Sequence, residues 1–281
     1  MLDIRLRPEE KAALTLRSLY EGRGFAFYRM SRFEEYDFYA DKKDFLTSKR
    51  ILTFTDTNGK LMALRPDVTL SIVRHAKNLS GVQKFYYDEK VYRVPKNSDS
   101  FREISQAGIE CVGALTGENI REVLELALLS LKTVAEGRKF VLDVAHAGMI
   151  AELLKDNRDR QAILKCIAEK NIHGLKALGA PGKIIDLMET DAKNFSVLDG
   201  DTANIINSLG EYHDELRVDF SAVSNLNYYN GLVFRGFIEG IPEGILSGGQ
   251  YDGLMKLMNR EDTRAIGFAV YLDLVGSETN D

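Results

Sequence analysis

The chain has 281 residues, 44% hydrophobic and 28% charged, the balance of an ordinary soluble globular protein long enough to bury a substantial core. A net charge of −5 and a pI near 5.6 advertise no polyanion partner, which leaves a local tRNA-binding surface open. No apolar run approaches the roughly 18 residues of a membrane helix, the charged N-terminus MLDIRLRPEEK has no signal-peptide core, and no membrane partner is expected. Cys111 and Cys166 show no metal or redox spacing, which suits a reduced cytoplasm. His75, His146, His173 and His213 are scattered singly, so no metal and no cofactor is assigned.

From Arg7 to Glu21 apolar residues recur at helical spacing, with Gly22 and Gly24 as the stop. The aromatic stretch Gly24 to Tyr39 alternates in places and predicts extended structure. Ile51–Phe54 and Leu61–Leu64 predict two strands around the Asn58-Gly59 turn. Asp67 to Ala76 predicts a helix behind Pro66, and Lys84–Arg93 and Ile104–Val112 a strand pair. Glu118 to Glu136 carries a broad apolar stripe with Gly137 behind it, a clear helix. After a strand at Phe140–Val144, residues 149–211 change to short helical segments (Met149–Lys155, Asp159–Glu169, Ile184–Met188, Thr202–Leu209) separated by Gly and Asn. Strands return at Leu216–Ser221, Leu232–Ile238 and Ala265–Val270, with a helix at Tyr251–Met258. Strands around a helical middle predict one α+β domain over residues 1–281, a sheet with flanking helices interrupted by a helical insertion at about 149–211.

Several patches, in order, resemble the histidyl type of class II aminoacyl-tRNA synthetase core. Gly24 to Glu34, GFAFYRMSRFE, is similar to the dimerisation strand of motif 1, with Ser31 where the family has proline. Leu64-Arg-Pro-Asp-Val-Thr69 is close to Leu-Arg-Pro-Glu-x-Thr. Val91-Tyr-Arg93 through Phe101 to Glu110 resembles motif 2 with a one-residue deletion in its loop. Asn225 to Phe234, then Ser247-Gly-Gly-Gln-Tyr-Asp252, resemble the histidine signature and its Gly-Gly-x-Tyr-Asp, and Ile266 to Val270 a degraded motif 3. Each patch alone is weak; five in order over nearly the whole chain are not. The resemblance implies an antiparallel class II sheet. The chain stops shortly after the last patch, so no anticodon-binding domain is expected.

Amino-acid activation joins two anions, and the protein must supply positive charge where negative charge gathers. The family's arginines in motif 2, the histidine signature and motif 3 resemble such a clamp. Arg93 matches the first, but the second is Ser224 and the third Leu274. Each such contact is worth about 2.7–4 kcal/mol, so losing two removes on the order of 10⁴-fold in rate or more; Lys96 and Arg102 are the nearby substitutes, and a flexible lysine does not reproduce the guanidinium fork. No catalytic residue is therefore assigned.

The amino-acid half is better kept. By resemblance Asp67, Thr69 and Gln106 hold an ammonium, Glu110 faces an imidazole, Tyr228 and Tyr229 wall the ring, and Arg93, the motif 2 arginine, belongs to the same pocket. Gln106 and Glu110, four apart on a strand, share a face. A buried glutamate is uncommon unless paired, so a salt bridge from Arg93 or Arg102 to Glu110 is the competing explanation, and the two tyrosines could equally be core.

A synthetase-like core with a disabled ATP site is similar to the regulatory subunits of short-form ATP phosphoribosyltransferase. That resemblance implies a homodimer through the motif-1-like segment, a hetero-octamer with a short catalytic subunit, and feedback by histidine bound in this pocket or at the subunit interface. A truncated enzyme adenylating a free amino acid and a stand-alone amino-acid sensor are the alternatives.

Overall fold

The computed structural model describes residues 6–46, 50–76, 81–95, 99–223, 226, 228–260 and 262–276. Helix α1 (Pro8–Gly22) starts with Pro8 at its first position, and the Glu10 carboxylate accepts from the Arg7 backbone N–H at 2.9 Å. It buries Ala12, Ala13, Leu16 and Tyr20. Then follow β1 (Ala26–Phe27), β2 (Phe33–Glu35), α2 (Asp37–Ala40), β3 (Thr53–Thr55), β4 (Leu61–Leu64) and α3 (Thr69–His75). The hairpin β5 (Val82–Arg93) and β6 (Arg102–Gly113) leads into α4 (Gly117–Ala135), then β7 (Phe140–His146). Helices α5 (Ala147–Leu153), α6 (Arg160–Ala168), α7 (Ile172–Ala177), α8 (Gly182–Met188) and α9 (Gly200–Asn207) precede β8 (Leu216–Val218), β9 (Leu232–Ile238), β10 (Leu246–Gln250), α10 (Asp252–Leu257) and β11 (Arg264–Tyr271).

Eight strands form one sheet in the order β1-β5-β6-β11-β10-β9-β7-β8, and β2, β4 and β3 form a small second sheet. The expected antiparallel sheet is mixed: β1 runs parallel to β5 and β8 parallel to β7, with antiparallel pairing between. Both parallel strands sit at edges and are reached by long crossovers, as parallel pairing requires.

Four local expectations change. Gly24–Tyr39 ends in α2 rather than extended chain. The strand expected at Leu216–Ser221 stops at Val218, because the Asp219 carboxylate accepts from the Ser221 backbone N–H and turns Phe220–Ala222 into a 3-10 turn. Ser247-Gly-Gly is inside a strand, β10, where glycine had masked β propensity. Helix α7 lies in the insertion where none was expected; its Asn171 side chain caps the Gly174 N–H.

Residues directly opposite in paired strands point to the same face, so the register assigns two faces. One carries Ile109, Phe268, Phe234, Leu142 and Val144, all buried. Against it lies α4, with Val123, Leu124, Ala127, Leu128 and Leu131 at 0% exposure. Leu131 rests on Gly236, where a Cβ would come within 2.6 Å of it; truncating such a leucine to alanine costs about 2–5 kcal/mol. The insertion's Ile163, Ile167, Leu175, Ile184 and Ile206 belong to this same buried cluster. The opposite face carries Glu110, Gly108, Gln106, Tyr271, Gly267, Gly249 and Ser247. Helices α3 and α10, with Tyr39 of α2 and Ala63 of β4, pack over one end of it in a second buried cluster with Val112 and Ala265.

Candidate functional site

Three glycines lower the floor of this second face. A Cβ at Gly267 would stand 1.8 Å from a Glu110 carboxyl oxygen, one at Gly108 2.6 Å from the Tyr87 hydroxyl, and one at Gly249 2.8 Å from the Tyr229 ring. Each glycine makes room for a polar or aromatic group lying across a neighbouring strand.

Glu110, 2% exposed, takes the Thr69 hydroxyl at 2.6 Å on one oxygen and the Tyr251 hydroxyl at 2.5 Å on the other. Two neutral hydroxyls hold it, rather than the expected salt bridge from Arg93 or Arg102. Burial pushes its carboxyl up to about 8, against the pull of those two hydrogen bonds, with the Asp67 charge adding to the rise. The group is therefore mostly protonated at neutral pH.

Asp67, half-buried, accepts from the Leu70 N–H at 2.9 Å at the start of α3. Burial raises its carboxyl above the usual range, opposed by that N–H and by the Arg93 guanidinium. Arg93, 8% exposed, lies with its guanidinium carbon 6.0 Å from the centre of the Tyr271 ring, and Tyr271 faces Gln106 across the strand pair. Gln106 is 4% exposed.

Tyr228 and Tyr229 are half-buried and meet edge to face, 4.7 Å between centres, and Tyr228 is 5.8 Å from Tyr251. Burial, the first cause, and the Asp67 and Glu110 carboxyls hold both hydroxyls up in pKa. The fold thus brings Asp67, Thr69, Gln106, Glu110, Tyr228 and Tyr229 to one patch, with Arg93 at its margin. Ser224 and Lys96 fall outside the described residues. Leu274 is half-buried against the main core cluster, so an apolar side chain stands at the motif-3 position.

Three contributors were not singled out from sequence. Tyr251 completes the Glu110 grip and was legible only as part of Gly-Gly-x-Tyr-Asp. Tyr87 covers Gly108. Arg65, at 0% exposure, ties two remote segments to its own, donating to the Ser31 carbonyl at 2.7 Å, the Lys90 carbonyl at 2.7 Å and the Glu89 carboxylate at 2.8 Å. The Leu-Arg-Pro triplet was its only signal.

The family profile described as Histidyl-tRNA synthetase matches residues 1–208 and 198–275. The chain belongs to the histidyl-tRNA synthetase family. Within that family, the ATP phosphoribosyltransferase regulatory subunit of Oceanobacillus iheyensis is 28% identical over 273 residues, covering 86% of this chain and 66% of its own length. The histidine–tRNA ligase of Methanocaldococcus jannaschii is 27% identical over 299 residues, covering 95% and 70%. The chain spans about two thirds of the length of the first of these curated relatives. A solved Bacillus halodurans protein described as an ATP phosphoribosyltransferase regulatory subunit/histidyl-tRNA synthetase superimposes with a TM-score of 0.81 at 21% identity, covering 100% of this chain and 84% of its own. A chain of the ATP phosphoribosyl transferase (HisG:HisZ) complex from Thermotoga maritima gives 0.74 at 18% identity, covering 96% and 98%. The fold is therefore that of the histidyl-tRNA synthetase core, a mixed sheet with flanking helices.

Proposed function

We propose that this chain is the non-catalytic regulatory subunit of a short-form ATP phosphoribosyltransferase, required for the first step of histidine biosynthesis and for its feedback by histidine. In this reading it works in the cytoplasm, charges no tRNA, and joins short catalytic subunits in a hetero-octamer. Curated relatives carrying that name support the reading. The observation that carries it is an asymmetry within one site. Acceptors and aromatic walls for a small zwitterion are assembled (Asp67, Thr69, Gln106, Glu110, Tyr228, Tyr229), while two of the three positions that would neutralise ATP hold Ser224 and Leu274. Loss of two preorganised cations leaves binding without activation.

Histidine would place its ammonium against Asp67, Thr69 and Gln106 and its imidazole between Glu110 and the tyrosines. Homodimerisation through Gly24 to Glu34 is supported by the apolar surface there: Phe27 and Phe33 are 46% and 49% exposed, more than a solvated face gains from carrying.

The test is reconstitution with the short catalytic subunit from the same source. Added chain raises its turnover and makes it histidine-sensitive; Glu110→Ala and Tyr228→Phe shift the inhibition curve if the pocket is the sensor and leave it in place if the interface is. Turnover that is unchanged with and without the chain removes the assignment in favour of a stand-alone sensor. Histidine-dependent pyrophosphate exchange with ATP, abolished by Arg93→Ala, identifies an adenylating enzyme instead.

A further inference from the structure

Tyr228, Tyr229 and Tyr251, the aromatic groups of the pocket, come from two segments of the chain. Tyr251 stands on a segment fastened to β11 in the middle of the sheet. Its backbone N–H donates to the Ala265 carbonyl at 2.9 Å, and the neighbouring Asp252 carboxylate accepts from the Ala265 N–H at 2.8 Å. From there its hydroxyl reaches Glu110. Tyr228 and Tyr229 enter on the other segment, the first ring facing Tyr251 and the second lying over Gly249.

The two segments are tied at their base by Asn230 and Asp252, each one residue after a tyrosine. The Asp252 backbone N–H donates to Asn230 Oδ1 at 2.9 Å, and Asn230 Nδ2 donates to Asp252 Oδ2 at 3.3 Å, across 22 residues of sequence. Behind this clasp the chain is held by other means. The Leu232 N–H donates to the buried Gln250 side chain at 2.8 Å, and the Gly231 carbonyl accepts from the Ala147 N–H at 2.8 Å. At Asn230 itself the clasp adds to the bond that its backbone N–H gives the Gln250 carbonyl at 3.1 Å, and so fixes the direction in which the chain approaches Tyr229. Asn230 is exposed and Asp252 half-buried. Hydrogen bonds this close to water add little to global stability, so the effect of the clasp falls on where the tyrosines stand.

We propose that Asn230 and Asp252 are positioning residues of this pocket, whose clasp sets the spacing between the Tyr228–Tyr229 wall and the Tyr251–Glu110 floor. The proposal rests on the pocket reading above and deepens it: both residues act on an imidazole through the tyrosines beside them. The geometry can be inverted as a test. In the double variant Asn230→Asp/Asp252→Asn every bond of the clasp re-forms with its polarity reversed, and the amide oxygen at 252 still takes the Ala265 N–H. Asn230→Asp alone sets two carboxylates face to face. Asp252→Asn alone sets two amide NH2 groups face to face, because its oxygen is held by Ala265. The Arg264–Asp252 ion pair at 3.7 Å is lost in Asp252→Asn and in the double variant alike, so it cannot produce a rescue.

The experiment is equilibrium dialysis of the full chain with L-histidine, beside tetranitromethane nitration mapped by peptide mass spectrometry, which reports access to each tyrosine without any ligand. Each single variant lowers L-histidine affinity about tenfold or more and speeds nitration of Tyr228 and Tyr229. Tyr251, 2% exposed and bonded to Glu110, stays protected throughout. The double variant returns both readouts close to wild type, and melting temperatures stay within a few degrees across the set. Asn230→Ala, which opens the clasp without adding charge, stands in for a single variant that fails to fold. Single variants that match wild type, a fall in affinity without faster nitration, or a double variant as impaired as the singles overturns the positioning role and leaves the pocket standing. Absence of L-histidine binding to the wild-type chain removes the pocket reading instead, and nitration alone then decides the clasp.

Discussion

Glu110 should make this protein less stable as pH rises through neutrality, the reverse of the usual carboxylate. Its folded-state carboxyl titrates at about 8 against 4.5 for an ordinary glutamate. Between those values the folded chain holds a proton that the unfolded chain has released, so stability falls with pH across that window and levels off above it. Over the full window the loss approaches about 1.4 kcal/mol per pH unit; between pH 5 and 7 it amounts to roughly 2–3 kcal/mol. Glu110→Gln keeps the shape and removes the titration, its amide donating to one hydroxyl and its carbonyl accepting from the other. Urea unfolding of both proteins at pH 5, 6, 7 and 8, at one protomer concentration because self-association feeds into apparent stability, isolates the residue. All other groups cancel in the difference. Wild type should lose ground to the glutamine variant steadily from pH 5 to 8. A difference flat to within about 0.5 kcal/mol would refute a neutral Glu110.

Arg65→Met should cost more than about 3 kcal/mol, because it strands the Ser31 and Lys90 carbonyls and the Glu89 carboxylate together; Arg65→Lys should recover less than half of this in the same unfolding assay. Gly267→Ala should abolish L-histidine binding in dialysis, since its Cβ would stand 1.8 Å from the Glu110 carboxyl and 2.5 Å from the Ile109 carbonyl; retained affinity would show that the floor is not the site. Phe33→Glu, on the exposed face where Phe33 meets Phe54 edge to face at 5.6 Å, should give monomers in sedimentation at micromolar concentration while leaving the melting temperature of the dilute protein nearly unchanged.

Much of the fold could be read along the chain wherever a segment carried its own signal. Helix α4 carries a broad apolar stripe, and strand β9 begins and ends where its Leu232–Ile238 run does. The elements that escaped depend on partners. Strand β1 is two residues long and exists through its parallel pairing with Phe85 and Tyr86. Strand β10 is glycine-rich because Tyr229 and the Phe268 strand must come close, a demand visible only across the sheet. The site divides the same way. Asp67, Thr69, Gln106 and Glu110 stand in local motifs, but what holds Glu110 is Tyr251, 141 residues away. Nothing in the local pattern around Arg65 says that it will be enclosed completely.

The place of β11 in the sheet has a kinetic consequence. The last of this sheet's described strands in chain order lies in the middle, pairing Gly267 with Glu110 on one side and with Gly249 on the other. Until residue 271 has been made, β6 and β10 each present an unpaired edge, and the two halves of the sheet share no ladder. At about 5–20 residues per second, β6 waits roughly 10–30 s after its own completion. Unpaired edges of that length invite pairing with other chains. A nascent chain of this protein is therefore a natural client for chaperones that shield strand edges, and a strand-length peptide copying Arg264–Tyr271 would compete for the gap during refolding.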